Sequence, residues 1–342
     1  MAKKTKTPPR SWPVYGHDWA VDYLRKGMLN DRIRHAYLIV GTSAIGKMTL
    51  AKAFAMALNC LEDDPAQRPC GVCRSCKRIL SGSHMDVLYS ETDERSGQMR
   101  IDAIRAITNQ LAMKPYEGRY RVAIMEDFDH AQPRAQDALL KTLEEPPPYA
   151  VLILLATALE PILPTITSRS QVVYLRPVPA DVIKQVLVEQ YQLPDDEAIL
   201  LARFSGGRIG WAIAAAQNPD ILSQRTDALE LLEQVIKMNR AERFNLANDL
   251  AGDKQALVTL LELWQTYWRD LLLQTQGASV RLANVDHEVN IQQLAYTITP
   301  EAALAALKAT RELIRQLNWN VNTRLALEVM LLAYPGLAYE PA

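Results

Sequence analysis

The sequence has no apolar run of 18 residues or more, the length that a transmembrane helix needs, and its longest apolar run, around residues 149–158, is the size of a strand. Its start carries basic residues but no apolar segment, so we expect no secretory signal. It also has almost no net charge, because 38 Lys and Arg residues stand against 39 Asp and Glu residues. We therefore expect a cytoplasmic protein that makes no membrane contact and reaches nucleic acid through local patches or partner subunits.

Cysteine is missing from all but one short stretch. The four cysteines are Cys60, Cys70, Cys73 and Cys76. The two short spacings let three thiolates converge from one turn, and the longer loop brings in the fourth, which is the ligand set of a closed structural zinc site. Two disulfides or free thiols are the alternative, but disulfides are rare in the reducing compartment expected for this chain. We therefore predict a structural zinc bound by these four cysteines.

The chain has no internal repeat and no low-complexity stretch, and its 342 residues suit two or three domains. Short apolar segments alternate with helical patterns in the first half, which predicts a parallel sheet covered on both faces. From about residue 220 to residue 334 the pattern is mostly helical. The predicted strands are 36–41, 86–89, 121–125, 151–156 and 171–175, and the predicted helices between them are 48–59, 101–111 and 135–145.

The first predicted strand runs into a loop that matches G-x-x-x-x-G-K between a strand and a helix. Gly41 and Gly46 allow backbone N–H groups to surround a phosphate, and Lys47 would reach the β- and γ-phosphates. The next residue should be Ser or Thr, whose hydroxyl holds Mg²⁺, but it is Met48, a poor ligand for a hard cation. Thr49 points about 100° away around the helix.

This loop predicts a site for ATP or ADP that binds Mg²⁺ weakly or not at all. The alternative is a glycine-containing turn with an incidental lysine.

The third predicted strand ends in two acids in an unusual order. In active ATPases of this type the strand ends in Asp-Glu, where the first acid lies near the metal and the second polarises the attacking water. Here the order is Glu126-Asp127. Each carboxylate is therefore displaced by roughly 1.5 Å, and misplacement by about 1 Å can cost about 10²-fold in rate. Together with Met48, this pair predicts that the chain hydrolyses nucleotide poorly or not at all.

A group of four acids lies at and just after the second predicted strand. These acids could imitate the carboxylates of a two-metal site, but we prefer a solvated loop because Arg95 follows directly and offsets their charge. The four are Asp86, Glu91, Asp93 and Glu94.

Several motifs together resemble the clamp-loader branch of the AAA+ family, over nearly the whole chain. The most specific are the cysteine spacing and the stretch Ala-Leu-Leu-Lys-Thr-Leu-Glu-Glu-Pro-Pro at residues 138–147. The others are Gly16-His17, residues 35–38 leading into the phosphate loop, Ala156-Thr157, Ser168-Arg169 and the late stretch 320–328.

The resemblance implies an α/β domain followed by all-α domains. The expected divisions are a flexible tail at 1–12, a P-loop AAA+ parallel-sheet domain at 13–177 with a zinc module inserted at about 60–80, a small helical lid at 178–222, and a helical collar for oligomerisation at 223–342.

The resemblance also implies roles for individual residues. Val14 and Tyr15 match positions that line the adenine pocket, and Thr157 matches a sensor of the γ-phosphate. Arg169 matches an arginine finger that acts in trans on nucleotide bound to a neighbouring subunit; a solvated loop arginine is the alternative. Arg208 resembles a second sensor, although its position is shifted by about one residue from that of ATPase relatives.

The function implied is that of a clamp-loader subunit, which helps to load the sliding clamp onto primed DNA. Its partners would be the delta and gamma/tau subunits in a hetero-pentameric ring, and it would have no polymerase centre of its own. We expect it to act as a stator that supplies Arg169 and hydrolyses little ATP. One alternative is the ATP-hydrolysing gamma/tau motor subunit of the same ring, and another is an unrelated AAA+ DNA-repair protein.

Overall fold

The structure, a computed structural model, describes residues 12–90, 99–278, 282–317 and 321–336. Residues 1–11 of the predicted tail, and Asn320 of the late motif, lie outside the described residues. Contacts divide the chain into two units, Met1–Val182 with Gly207–Gly210, and Ile183–Gly206 with Trp211–Ala342. The division into a nucleotide-binding domain, a lid and a collar stays a prediction. Within the described ranges, no helix has the length and apolar character that crossing a membrane requires.

A parallel sheet forms the centre of the first unit. Its strands are β1 (Ala36–Val40), β2 (Val87–Tyr89), β3 (Arg121–Met125), β4 (Ala150–Ala156) and β5 (Gln171–Tyr174). They are arranged in the order β2-β3-β4-β1-β5 with every pairing parallel. All residues of β1 and β4 are buried, as expected for strands covered on both faces. Val40 lies beside Ala156 in the register, so β1 and β4 end at the same edge of the sheet.

Helices cover both faces of this sheet. Tyr37 and Ile39 of β1 join the apolar core with α1 and α2, whereas Leu38 joins the opposite core with α4 and α5. The alternation follows from the strand period of two residues. Helix α5 ends before the prolines at 146–148, which cannot continue a helix. The helices are α1 (Asp18–Leu29), α2 (Lys47–Asn59), α3 (Arg74–Leu80), α4 (Ile101–Leu111), α5 (Pro133–Glu144) and α6 (Pro164–Thr167).

From residue 180 onward, all regular elements among the described residues are helical. The longest of these helices carries Trp264, Tyr267, Trp268 and Leu271, which are fully buried in the apolar core of the second unit. The helices are α7 (Ala180–Tyr191), α8 (Asp195–Phe204), α9 (Ile209–Gln217), α10 (Asp220–Lys237), α11 (Arg240–Leu250), α12 (Lys254–Thr275), α13 (Glu288–Ala295), α14 (Pro300–Leu317) and α15 (Thr323–Leu332).

The prediction of a solvated acidic loop is wrong for Asp86. This residue lies directly before β2 and is fully buried. Its carboxylate accepts hydrogen bonds from the N–H groups of Tyr116, Glu117 and Gly118 and from the guanidinium of Arg121. A carboxylate can be buried when it receives such donors, and a polar residue before an apolar strand gives no local sign of them. The other acids of that group, Glu91, Asp93 and Glu94, lie outside the described residues.

Candidate functional site

The predicted phosphate loop lies between β1 and α2. Gly46 has a φ of 109°, a conformation that favours glycine, and it immediately precedes the first residue of α2. The ammonium group of Lys47 is directed back to the loop, where Nζ donates to the carbonyl oxygen of Gly41 at 2.7 Å and to that of Thr42 at 3.1 Å. The structure therefore brings the glycines and the lysine of the motif together at the N-terminus of a helix, which is a favourable place for an anion.

Two residues from outside the phosphate loop contact carbonyl oxygens of the loop and hold it in place. The backbone N–H of Gly210 donates to the carbonyl of Ala44 at 2.8 Å, and Nε2 of the buried His17 lies 2.9 Å from the carbonyl oxygen of Ile45. Residue 210 has to be glycine for this approach, because a Cβ there would lie 2.6 Å from the Ala44 oxygen. A loop held in this way can direct its N–H groups toward a phosphate.

The position that follows the lysine offers no hydroxyl. Met48 packs against the apolar core, and Thr49 is exposed on the next position of α2. The thioether of Met48 is a poor ligand for Mg²⁺. The metal-binding residue of the motif is therefore absent at this position.

The acid pair lies at the end of β3. The Glu126 N–H donates to the hydroxyl of Ser90, and Asp127 has a φ of 49°. Partial desolvation and the neighbouring charge of Asp127 raise the pKa of Glu126, and the ammonium groups of Lys47 and Lys52 oppose that shift. Lys47 of the phosphate loop is therefore among the charges that act on Glu126.

Thr157, the residue matched to the γ-phosphate sensor, is hydrogen-bonded to Asp129. Its backbone N–H donates to Oδ2 of Asp129 at 3.0 Å, and its hydroxyl donates to the same oxygen. The carbonyl of the preceding residue, Ala156, accepts a hydrogen bond from Gly41 at 3.1 Å. Thr157 therefore lies beside the first residue of the phosphate loop, but its hydroxyl is already bonded within the protein.

The remaining residues matched to nucleotide contacts lie around the same loop or in the core. Val14 is buried in the apolar core and Tyr15 is half-buried. Arg208 immediately precedes α9, in the segment whose Gly210 N–H bonds to Ala44. The adenine-pocket role of Val14 and Tyr15 and the sensor role of Arg208 stay predictions.

Arg169 lies just after α6 on the surface of the first unit. Its guanidinium donates to the carbonyl of Thr165 at 3.1 Å and to the carboxylate of Glu144 at 3.0 Å. The side chains of Arg169 and Glu144 are 38% and 54% exposed, so solvent weakens this ion pair. A guanidinium held in this way is accessible to another molecule.

The four cysteines converge on one point. Their sulfur atoms all lie within 4.8 Å of one another, and a tetrahedral zinc with four thiolates requires separations of about 3.8 Å. The N–H groups of Cys70, Cys73 and Cys76 donate to the sulfurs of Cys60, Cys70 and Cys73 at 3.3 to 3.4 Å. This donor set fits a structural zinc, because four soft thiolates fill every position of its coordination.

The thiols differ in how readily they ionise. Burial raises the pKa of Cys60 and that of Cys76. Burial also opposes ionisation of Cys73, but hydrogen bonds from Cys76, Leu61 and Cys70 outweigh it and lower the pKa of Cys73 to about 7. A divalent cation that binds thiolates would remove the cost of placing several such groups together.

Two side-chain contacts at the phosphate loop and at its neighbour Thr157 were not predicted from the sequence. His17 lies 28 residues from its partner Ile45, and Asp129 lies 28 residues from its partner Thr157. The one available signal for Asp129 was a third acid within the four residues that begin at Glu126.

The strand order, the phosphate loop after β1 and the acids after β3 define a P-loop fold of the AAA+ class. Two family models match the sequence, "DNA polymerase III, delta subunit" over residues 16–179 and "DNA polymerase III, delta subunit, C terminal" over residues 219–334. The chain belongs to this family of DNA polymerase III subunits. The resemblance drawn from the sequence motifs is therefore confirmed.

Curated relatives carry two kinds of name. A DNA polymerase III subunit delta' of Bacillus subtilis is 28% identical and covers 88% of this chain and 91% of its own length. A DNA polymerase III subunit tau of the same organism is 28% identical over 98% of this chain, which spans 63% of that relative. A solved gamma-subunit-related protein of Thermotoga maritima is 17% identical and covers 92% of this chain and 97% of its own, with a TM-score of 0.41.

Proposed function

We propose that this chain is a clamp-loader subunit of the delta-prime type, which helps to place a sliding clamp on primed DNA and hydrolyses little or no ATP itself. It would work in the cytoplasm, in a hetero-pentameric ring with delta and gamma/tau subunits. The family supports the complex, and the nucleotide site supports the particular role within it.

The observation that carries the proposal is that the phosphate loop is intact while the groups needed for hydrolysis are not. The loop has its glycines and Lys47 in place. Met48 stands where a Ser or Thr hydroxyl would bind Mg²⁺, and the acids are in the order Glu126-Asp127. The hydroxyl of Thr157 is bonded to Asp129. Such a site can hold ATP or ADP without turning it over, because binding uses the loop and hydrolysis uses the missing groups.

The exposed Arg169 would act on the neighbouring subunit. A guanidinium supplies paired donors to the charge that develops on a transferred phosphoryl group, and it does so without binding nucleotide in its own subunit. The cysteine cluster would hold a zinc ion through Cys60, Cys70, Cys73 and Cys76. That zinc would be structural, because its four positions are all occupied by sulfur.

The test is ATP turnover by the isolated chain and by the complex reconstituted with delta, gamma/tau, clamp and primed DNA. Arg169→Ala should leave assembly intact and slow hydrolysis at the neighbouring site by about 10³-fold in single-turnover measurements. Lys47→Ala should change neither the turnover of the complex nor the background rate of the isolated chain. Arg176→Ala, which removes another exposed arginine of the same unit, is the matched control.

Each part of the proposal has its own contrary result. Robust, Lys47-dependent turnover by the isolated chain would identify a motor subunit of the gamma/tau kind. Unchanged hydrolysis after Arg169→Ala would exclude the arginine finger. A chain that fails to assemble with the other subunits would point to an AAA+ protein of different function.

A further inference from the structure

The buried carboxylate of Asp129 is hydrogen-bonded to Thr157, the residue that lies beside the start of the phosphate loop. Asp129 is 6% exposed. Its Oδ2 accepts two hydrogen bonds from Thr157, and its Oδ1 is buried without a hydrogen-bond donor in the part of the chain that the structure describes. One carboxylate oxygen therefore receives hydrogen bonds from neutral groups, whereas the other oxygen receives none from the described residues.

The position of Asp129 relative to the phosphate loop follows from the backbone. Thr157 comes directly after Ala156, whose carbonyl oxygen accepts the N–H of Gly41 at 3.1 Å. The carbonyl oxygen of Gly41 in turn accepts a hydrogen bond from Nζ of Lys47 at 2.7 Å. The lysine of such a loop contacts the β- and γ-phosphates. A γ-phosphate would therefore lie between Lys47 and the Asp129–Thr157 pair.

The hydrogen bonding and the negative charge of the Asp129–Thr157 pair are both unfavourable for binding a γ-phosphate. A threonine hydroxyl has one proton, and that of Thr157 is donated to Asp129, so it can offer the phosphate only an oxygen lone pair. The negative carboxylate repels the additional charge of a triphosphate, and burial strengthens the repulsion because the effective dielectric constant is low. The acids Glu126 and Asp127 at the end of β3 add to the same field.

We propose that Asp129 makes this a diphosphate site, which binds a nucleoside diphosphate more tightly than the corresponding triphosphate. The inference deepens the proposed function and rests on it in one respect, that the loop binds a nucleotide. The two phosphates of a nucleoside diphosphate would contact the phosphate loop and Lys47, and no γ-phosphate would have to lie beside Asp129. The chain would then remain in one nucleotide state while its neighbours bind and hydrolyse ATP.

The experiment is calorimetric titration of the full chain with ADP and with ATPγS, in excess EDTA and again with Mg²⁺. We expect ADP to bind at least about tenfold more tightly than ATPγS, a difference of about 1.4 kcal/mol. Asp129→Asn, which keeps the shape and removes the charge, should bring the two affinities within about threefold. Equal or tighter binding of ATPγS by the unaltered chain, or no binding of either nucleotide, would overturn the proposal without any variant.

Two further variants separate the charge from other causes. Thr157→Val removes the hydroxyl and leaves the carboxylate, so the preference for ADP should persist. Asp137→Asn removes an exposed acid of α5 and should have no effect. If both of these variants reduced the preference as much as Asp129→Asn does, the specific role of Asp129 would be excluded.

The outcome does not depend on whether the chain works in a clamp loader. A chain that prefers ADP but does not assemble with delta and gamma/tau would contradict the proposed function and support this inference. A chain that assembles and binds ATPγS as tightly as ADP would support the proposed function and contradict this inference.

Discussion

Two buried polar side chains, Asn59 and Asp86, hold the backbone at residues 116–120 near the segment that carries the cysteine cluster. Asn59 directly precedes Cys60, and its Oδ1 accepts hydrogen bonds from the N–H groups of Arg119 and Tyr120, each at 2.9 Å. The Asn59 amide also donates to the Tyr120 carbonyl. Asp86 binds the three preceding N–H groups. Together they satisfy backbone groups that would be costly to leave unpaired in a partly buried segment.

The charge of Asp86 is stabilised in the folded protein. Burial opposes its ionisation, but three backbone N–H donors and the Arg121 guanidinium outweigh burial and lower the pKa of Asp86 from its usual value. A carboxyl whose pKa is lower in the folded state than in the unfolded state binds fewer protons when folded. Its contribution to stability is therefore complete above the unfolded pKa and is lost as the pH falls through the folded pKa.

We predict that Asp86→Asn lowers the free energy of unfolding by about 3 kcal/mol at pH 7, because it removes the charge from several hydrogen bonds in a buried site. The difference from the unaltered chain should shrink as the pH falls below about 4, where the unaltered chain loses the same contribution. Urea unfolding followed by circular dichroism at several pH values measures both effects. Asp22→Asn, at an exposed position of α1, is the control; a pH-independent difference for Asp86→Asn would contradict this explanation.

At the scale of elements, the C-terminus of α15 is held by a side chain from α11. The guanidinium of Arg243 donates to the carbonyls of Leu331 at 2.8 Å, Tyr334 at 2.9 Å and Pro335 at 2.9 Å. The last carbonyls of a helix lack partners within the helix and carry its negative dipole end, so a buried cation is favourable there. Burial lowers the pKa of Arg243 from its usual value.

We predict that Arg243→Met lowers the free energy of unfolding by about 3 kcal/mol, because methionine fills much of the same space but leaves the buried carbonyls without donors. Arg240→Met, at an exposed position of the same helix, should stay within about 0.5 kcal/mol of the unaltered chain. Chemical denaturation of both variants measures the difference. Equal stabilities for the two variants would show that Arg243 does not hold the end of α15.

The positions of the elements could be predicted because their signals are local. The five strands occur within one residue of the expected segments, because each is an apolar run bounded by turns. The helix expected at 135–145 runs from Pro133 to Glu144, since proline is favoured in the first turn and the prolines after it end the helix.

The candidate site could be predicted in part for the same reason. The residues of the phosphate loop lie close together in the sequence, as do those of the cysteine cluster, and the structure brings each set together. The contact of Ala44 with Gly210 and that of Asp129 with Thr157 join residues far apart in the sequence. Such pairings are decided by how the strands and loops meet in space, so no sequence window contains their signal. Asp86 was assigned wrongly because its donors lie 30 to 35 residues away.

At the scale of the whole molecule, the chain contains two units with separate apolar cores. One core joins β1 and α2 with Cys60, Cys70 and Cys76 of the cysteine cluster. The core of the second unit is formed by helices, with Trp264 and Trp268 of α12 at its centre. Binding of a metal adds stability only to the structure that contains its ligands in place. A zinc ion bound by the four cysteines should therefore stabilise the first unit alone.

We predict that a chelator removes one zinc per chain and accelerates hydrogen exchange in α2 and α3 while leaving exchange in α12 and α14 unchanged. Mass spectrometry of peptides from these helices measures exchange, and elemental analysis measures the zinc. Cys76→Ser should reproduce the effect without a chelator, and the chelator should then add nothing. Because removal of structural zinc costs several kcal/mol, the first unit should also melt at least about 5 °C lower. Equal acceleration in both units would mean that their stabilities are not separate, and unchanged exchange in α2 and α3 would exclude a structural metal at the four cysteines.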